Sequence, residues 1–152
     1  MSNFKDMKGN DISFEDVGKF IEKGHKYEVY VGTDSQVHKK IKKVIYASCI
    51  VVYKKGKGGR VFVSREKERY ANSLRQRLMN ETWRSLEIAL ELQKILPKDV
   101  ELVVHVDVNK NKKWKSSKYV EELVGMIVGQ GLKVVVKPDA WAAQHCADKF
   151  SR

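Results

Sequence analysis

Two hydrophobic runs in this chain each end in an aspartate. The first is Tyr27-Glu-Val-Tyr-Val-Gly-Thr-Asp34-Ser35-Gln36, and the second is Val100-Glu-Leu-Val-Val-His-Val-Asp107-Val-Asn109. A carboxylate is costly at the end of a buried strand, because desolvation disfavours its charged form. Here there are two, at equivalent strand ends, in a chain of 30 Lys and Arg against 19 Asp and Glu with a formal charge of +11. That combination suggests a divalent cation held beside a polyanion, the chemistry of a metal-dependent nuclease.

Further acids are available. Glu81 follows Leu78 and precedes Ser85 at helical spacing, at the edge of an apolar stripe. Near the C-terminus Asp139 reads as the N-cap of a last helix, and Asp148 falls within that helix. Three or four carboxylates suit Mg2+ or Mn2+, hard cations that take oxygen ligands. Two such ions can together activate a water and stabilise the leaving oxygen of a phosphodiester. A strand-end Asp also serves as a turn residue and a helix Glu as part of a solvated face, so the argument rests on their joint placement.

The elements that must position these acids follow from periodicity and punctuation. Ser13 is expected to cap a short helix with Val17, Phe20 and Ile21 inside and Gly24 as its stop. Strands are expected over 27–33, 43–54 and 60–64, with a glycine-rich hairpin turn over 55–59. A long helix is expected over 72–96, closed by Pro97, and the strand ending at Asp107 comes next. Then come a basic loop over 109–117, a helix over 118–130 capped by Ser116 or Ser117, a strand over 132–137, and a helix from Pro138 toward Phe150. The expectation is an α/β fold: three antiparallel strands and then αβαβα, giving a mixed five-stranded sheet with helices on both faces. One domain over 1–152 is expected, with 1–25 as a helical extension. A right-handed crossover would set the strand of Asp107 parallel to and beside that of Asp34, bringing both acids to neighbouring C-terminal ends.

Composition narrows the class. A hydrophobic share of 42% is that of an ordinary globular chain. No apolar run approaches the ~20 residues that span a bilayer, and the first residues form no apolar signal region. Cys49 and Cys146 sit among apolar residues without a C-x-x-C spacing, which reads as reduced thiols and a cytoplasmic location. The four histidines have no zinc spacing, and no nucleophile elbow is present.

The basic excess points to nucleic acid as the partner, with no membrane. Lys110, Lys112, Lys113 and Lys115 surround Trp114 just beyond Asp107, cations for phosphates interleaved with an aromatic for stacking. Lys39, Lys40, Lys42 and Lys43 lie in the turn after Asp34, where phosphate contact competes with a plain solvated turn. Ser35 and Gln36 are placed to bond a sugar hydroxyl or a phosphate oxygen, or to cap the turn.

In segment order and in the placement of its acids the chain resembles the ribonuclease H fold. More closely, Val31-Gly-Thr-Asp-Ser-Gln36, His105-Val-Asp-Val-Asn109 and Lys137-Pro-Asp-Ala-Trp-Ala-Ala143 with Ala147-Asp-Lys149 resemble the YkuK-type, ribonuclease H-like proteins of bacteria, from about residue 12 to the end. The resemblance implies a two-metal, Mg2+- or Mn2+-dependent hydrolase of phosphodiesters in RNA, RNA–DNA hybrid or structured DNA. It implies that Asp34 bridges the ions, that Glu81 and Asp107 hold one of them, and that Asp148 helps to hold the second, with Asp139 as the rival. The other expectation is a ribonuclease H-like module that binds nucleic acid or protein without catalysis.

Overall fold

In the computed structural model the described residues are 3–69, 73–137, 139, 140 and 142. Seven strands form one sheet: β1 (Phe4–Lys5), β2 (Asp11–Ile12), β3 (Tyr27–His38), β4 (Lys43–Lys54), β5 (Gly58–Arg69), β6 (Glu101–Asn109) and β7 (Lys133–Lys137). Their spatial order is β2-β1-β5-β4-β3-β6-β7. The helices are α1 (Phe14–Lys19), α2 (Leu74–Ile95) and α3 (Val120–Val128). Single 3-10 turns cover Lys39–Ile41 and Lys115–Tyr119.

The five expected strands are β3 to β7. Two further two-residue strands extend the sheet at the β5 edge, where Lys5 pairs with Val63. Strands this short have no periodicity to read. They form because the Asp6 carboxylate accepts from the backbone N–H of Lys8 and of Asn10, each at 2.9 Å, and Gly9 takes φ +86°. The segment expected to be a helical extension thus holds a hairpin followed by the short helix α1. Ser13 caps α1 through a reciprocal box with Asp16.

β3 and β5 run further than their hydrophobic stretches. Asp34, Ser35 and Gln36 remain in β3, paired with Ala47, Tyr46 and Ile45 of β4, so the chain does not leave the sheet after Asp34. β5 likewise continues through Glu66 and Glu68 to Arg69 instead of stopping at Ser64. A long hydrophobic strand, β4, templates both neighbours, and ladder pairing overrides the polar composition of the flanks.

One apolar cluster joins β3, β4, β5 and β6 to the three described helices. Val29, Val31, Ile50, Val52, Phe62, Val104 and Val106 meet Val17 of α1, Leu78, Leu86, Ala89 and Leu92 of α2, and Leu123 and Ile127 of α3. α1, α2 and α3 therefore share one face. The final helix expected from Pro138 toward Phe150 falls outside the described residues except for Asp139, Ala140 and Ala142, as does Cys146. Cys49 is buried and forms no disulfide among the described residues. Among the described residues no helix is long and apolar enough to cross a membrane.

Candidate metal centre

β3 and β6 are parallel and paired from Glu28 with Glu101 to Gly32 with His105. Beyond that last rung the two strands separate. Asp34 and Asp107 each lie two positions past it. Asp34 is held by its pairing with Ala47 on the other flank. Asp107 sits where the β6–β7 register shifts between Val106 and Asn109, an irregularity of the kind that re-aims a side chain.

Glu81 is brought in by α2, through two parallel strand-to-helix contacts. Thr33 Oγ1 lies 2.7 Å from Ser85 Oγ, and Ser35 Oγ donates to Glu81 Oε2 at 2.5 Å. Two residues along a strand advance ~6.6 Å and four along a helix ~6 Å, so both contacts fit one register of helix on strand. Thr33 Oγ1 also meets Ser48 Oγ at 2.8 Å, tying the arrangement to β4. Glu81, Thr82 and Ser85 are buried within the apolar stripe of α2 instead of lining its edge.

The result is a cluster. Asp34, Glu81 and Asp107 each present a carboxylate oxygen, and these atoms all lie within 4.8 Å of one another. Asp34 and Glu81 are only 6% and 4% exposed. Burial drives the Glu81 pKa up to about 8, with the charge of Asp107 adding to the rise; the Ser35 hydroxyl, Arg77 and Lys137 pull the other way. Lys137 Nζ stands 2.5 Å from Asp107 Oδ1. The approach is outside hydrogen-bond geometry, and this buried oxygen has no hydrogen bond among the described residues. Converging carboxylates are a donor set that fits a hard divalent cation.

His105, one rung below, is buried, and burial lowers its pKa to about 4. It is therefore neutral, and its Nδ1 accepts from the backbone N–H of Ala142 at 3.0 Å. Ala142 is thereby held at His105. Asp148, expected in the final helix, lies outside the described residues. Its rival Asp139 is exposed and does not join the three converging acids.

The remaining expected residues lie around this end of the sheet. Ser35 is buried, and its hydroxyl is engaged with Glu81; Gln36 is half-buried next to it. Lys39 and Lys40 are exposed in the turn that follows β3. The loop after β6 is pinned at both ends. Asn109 Oδ1 accepts from Asn111 N at 2.8 Å, Asn111 Oδ1 from Lys113 N at 3.2 Å, and Ser116 Oγ from Asn109 N at 3.1 Å. Ser116 thus anchors the loop instead of capping α3, which starts at Val120 without a side-chain cap. Trp114 is 52% exposed, with Lys113 Nζ 5.5 Å from its ring centroid, and Lys115 is exposed beside it.

Sequence reasoning missed Lys137 and the hydroxyls of Thr33, Ser48 and Ser85. Signals for both existed. Thr82, next to Glu81, and Ser85, one turn on, interrupt the apolar stripe, and Lys137 ends a valine run as Asp34 and Asp107 end theirs.

Comparison with known proteins agrees with this architecture. The sequence profile of the family described as Ribonuclease H-like matches residues 13–152. The chain is also 27% identical to a Bacillus subtilis (strain 168) protein named "Uncharacterized protein YkuK", over 98% of this chain and 96% of that protein. With its mixed sheet and helices and a profile match over nearly its whole length, this chain belongs to the ribonuclease H-like family.

Proposed function

We propose that this chain is a divalent-metal-dependent nuclease that hydrolyses phosphodiester bonds of RNA, RNA–DNA hybrid or structured DNA. The observation that carries the reading is the convergence of Asp34, Glu81 and Asp107 within 4.8 Å, largely out of solvent. Glu81, buried beside Asp107, resists ionisation, and a divalent cation held by the three acids would favour its charged form.

In this reading Asp34, Glu81 and Asp107 hold Mg2+ or Mn2+, and Asp148 is the fourth carboxylate of a two-ion site. Bound there, such ions supply an activated water and charge stabilisation for the leaving oxygen. The chain's own residues do the rest. Ser35 fixes the rotamer of Glu81 through its hydroxyl. His105, neutral, accepts from the backbone N–H of Ala142. Both basic segments leave the C-terminal ends of parallel strands, Lys39 and Lys40 after β3 and Lys113 and Lys115 after β6. Trp114 offers a face for base stacking, worth ~1–3 kcal/mol per base where such contacts have been removed.

The decisive test is Asp34→Asn. It should abolish Mg2+-dependent cleavage of labelled RNA, hybrid and DNA substrates while nucleic-acid binding persists; unchanged cleavage would remove the assignment. Replacing Lys110, Lys112, Lys113 and Lys115 by Gln should do the reverse. Binding should weaken, and the slope of log affinity against log salt should become shallower by about one for each phosphate that no longer has its cation. Retained nucleic-acid binding without Mn2+ affinity would point to the non-catalytic module.

A further inference from the structure

Lys137 is the last residue of β7 and pairs with Asn109 across the β6–β7 irregularity, which carries its side chain to the acid cluster. Its ammonium lies 2.5 Å from Asp107 Oδ1, with the lysine side chain 30% exposed and the aspartate 15%. That oxygen accepts no hydrogen bond among the described residues. The contact is thus electrostatic and close, and it uses one of the carboxylates that would face a metal ion. No ion pair joins Arg77 of α2 to Asp107 among the described residues.

An ammonium and a divalent ion cannot share one carboxylate oxygen at close range without strong mutual repulsion. We infer that Lys137 is a tethered counter-ion that competes with the divalent ion for Asp107, so that metal entry requires displacement of the ammonium from Asp107 Oδ1. This rests on the metal-dependent reading of the cluster. The geometry makes the exchange feasible. Lysine carries a compact, strongly hydrated charge on a flexible stem, and this one already has part of its surface in solvent. The lysine neutralises the acids when no ion is present and lowers the affinity of the site for the ion that replaces it.

The test is calorimetric titration of Mn2+ into wild type, Lys137→Met and Lys137→Gln, each also with Asp107→Asn. Removing the competing charge should tighten Mn2+ binding about tenfold, or about 1.4 kcal/mol, the lower end of what close charge pairs are worth in double-mutant cycles. The gain should vanish in the Asp107→Asn background. Lys137→Arg keeps the charge and should bind Mn2+ no more tightly than wild type. Without metal the neutral variants should melt lower than wild type, and Mn2+ should raise their Tm by more. Unchanged or weaker Mn2+ affinity in the neutral variants, or tighter binding by Lys137→Arg, overturns the inference while leaving the metal site in place. Absence of Mn2+ binding below the millimolar range in every form overturns the metal reading itself and the inference with it.

Discussion

The two halves of β3 obey different rules. From Glu28 to Gly32 the strand is flanked by β4 on one side and β6 on the other, and its inward residues Val29 and Val31 are fully buried among aliphatic neighbours. From Thr33 to His38 it has β4 alone. The residues buried along this half are Thr33, Asp34 and Ser35; Thr33 meets Ser48 and Ser85, and Ser35 meets Glu81. The first half gains from every group it hides from water. In the second half every buried group needs a partner, and the acids gathered there (Asp34, Glu81 and Asp107) cannot partner one another once ionised. The lesson is that one strand serves as scaffold and site in succession, and the boundary is the rung where β6 stops pairing. Stability should therefore depend on the first half and metal chemistry on the second.

The strongest way to break this division is Asp34→Asn. Loss of a direct ligand should exceed the ~10–100-fold cost of losing an outer partner of a metal site. Cleavage should fall about a thousandfold or more, while urea denaturation shows unchanged or slightly raised stability because one like charge has left the cluster. A large loss of stability would show that the acid also supports the fold. The converse is Ile50→Ala. Ile50 opposes Val31 in the scaffold half and is fully buried. Its truncation should cost about 3 kcal/mol of unfolding free energy, read in the same denaturation experiment, and leave Mn2+ affinity at the wild-type value below the melting transition.

How far this division could be read in advance follows from the same contrast. The scaffold half announced itself, because alternating Val and Tyr at a period of two admit few other structures. Asp34 and Asp107 were legible for a related reason, as acids stand out where a hydrophobic run stops. The continuation of β3 through Ser35 and Gln36 was not legible, since it depends on β4 as a template and not on local propensity. The hairpin before α1 was invisible because two residues carry no period. Glu81 could be placed on the right helix, but its burial became clear only through the Ser35 contact, a tertiary register that no local pattern encodes. Lys137 comes to Asp107 through a β6–β7 register shift, and such shifts leave little trace in sequence.

The subtlest expected effect concerns two buried titratable groups close to that boundary, which pull stability in opposite directions. Glu81 has its pKa raised from 4.5 to about 8, so between those values the native state keeps a proton that the unfolded chain releases. Stability then falls as pH rises through this window, by on the order of 1 kcal/mol per pH unit for a full proton. His105 has its pKa lowered from 6.5 to about 4, so there the unfolded chain binds a proton that the native state refuses, and stability falls as pH drops through that window. The slopes oppose each other between 4.5 and 6.5, and above 6.5 only that of Glu81 remains. Glu81→Gln should therefore flatten the decline between pH 6.5 and 8 and expose the rise due to His105 below it, in urea titrations at a series of pH values. Saturating Mn2+ should remove the same decline from wild type, because a bound cation favours the ionised carboxylate and metal binding releases the proton. If Glu81→Gln retains the wild-type slope above pH 6.5, the buried proton belongs to another group, and the acid end of β3 is less strained than its geometry implies.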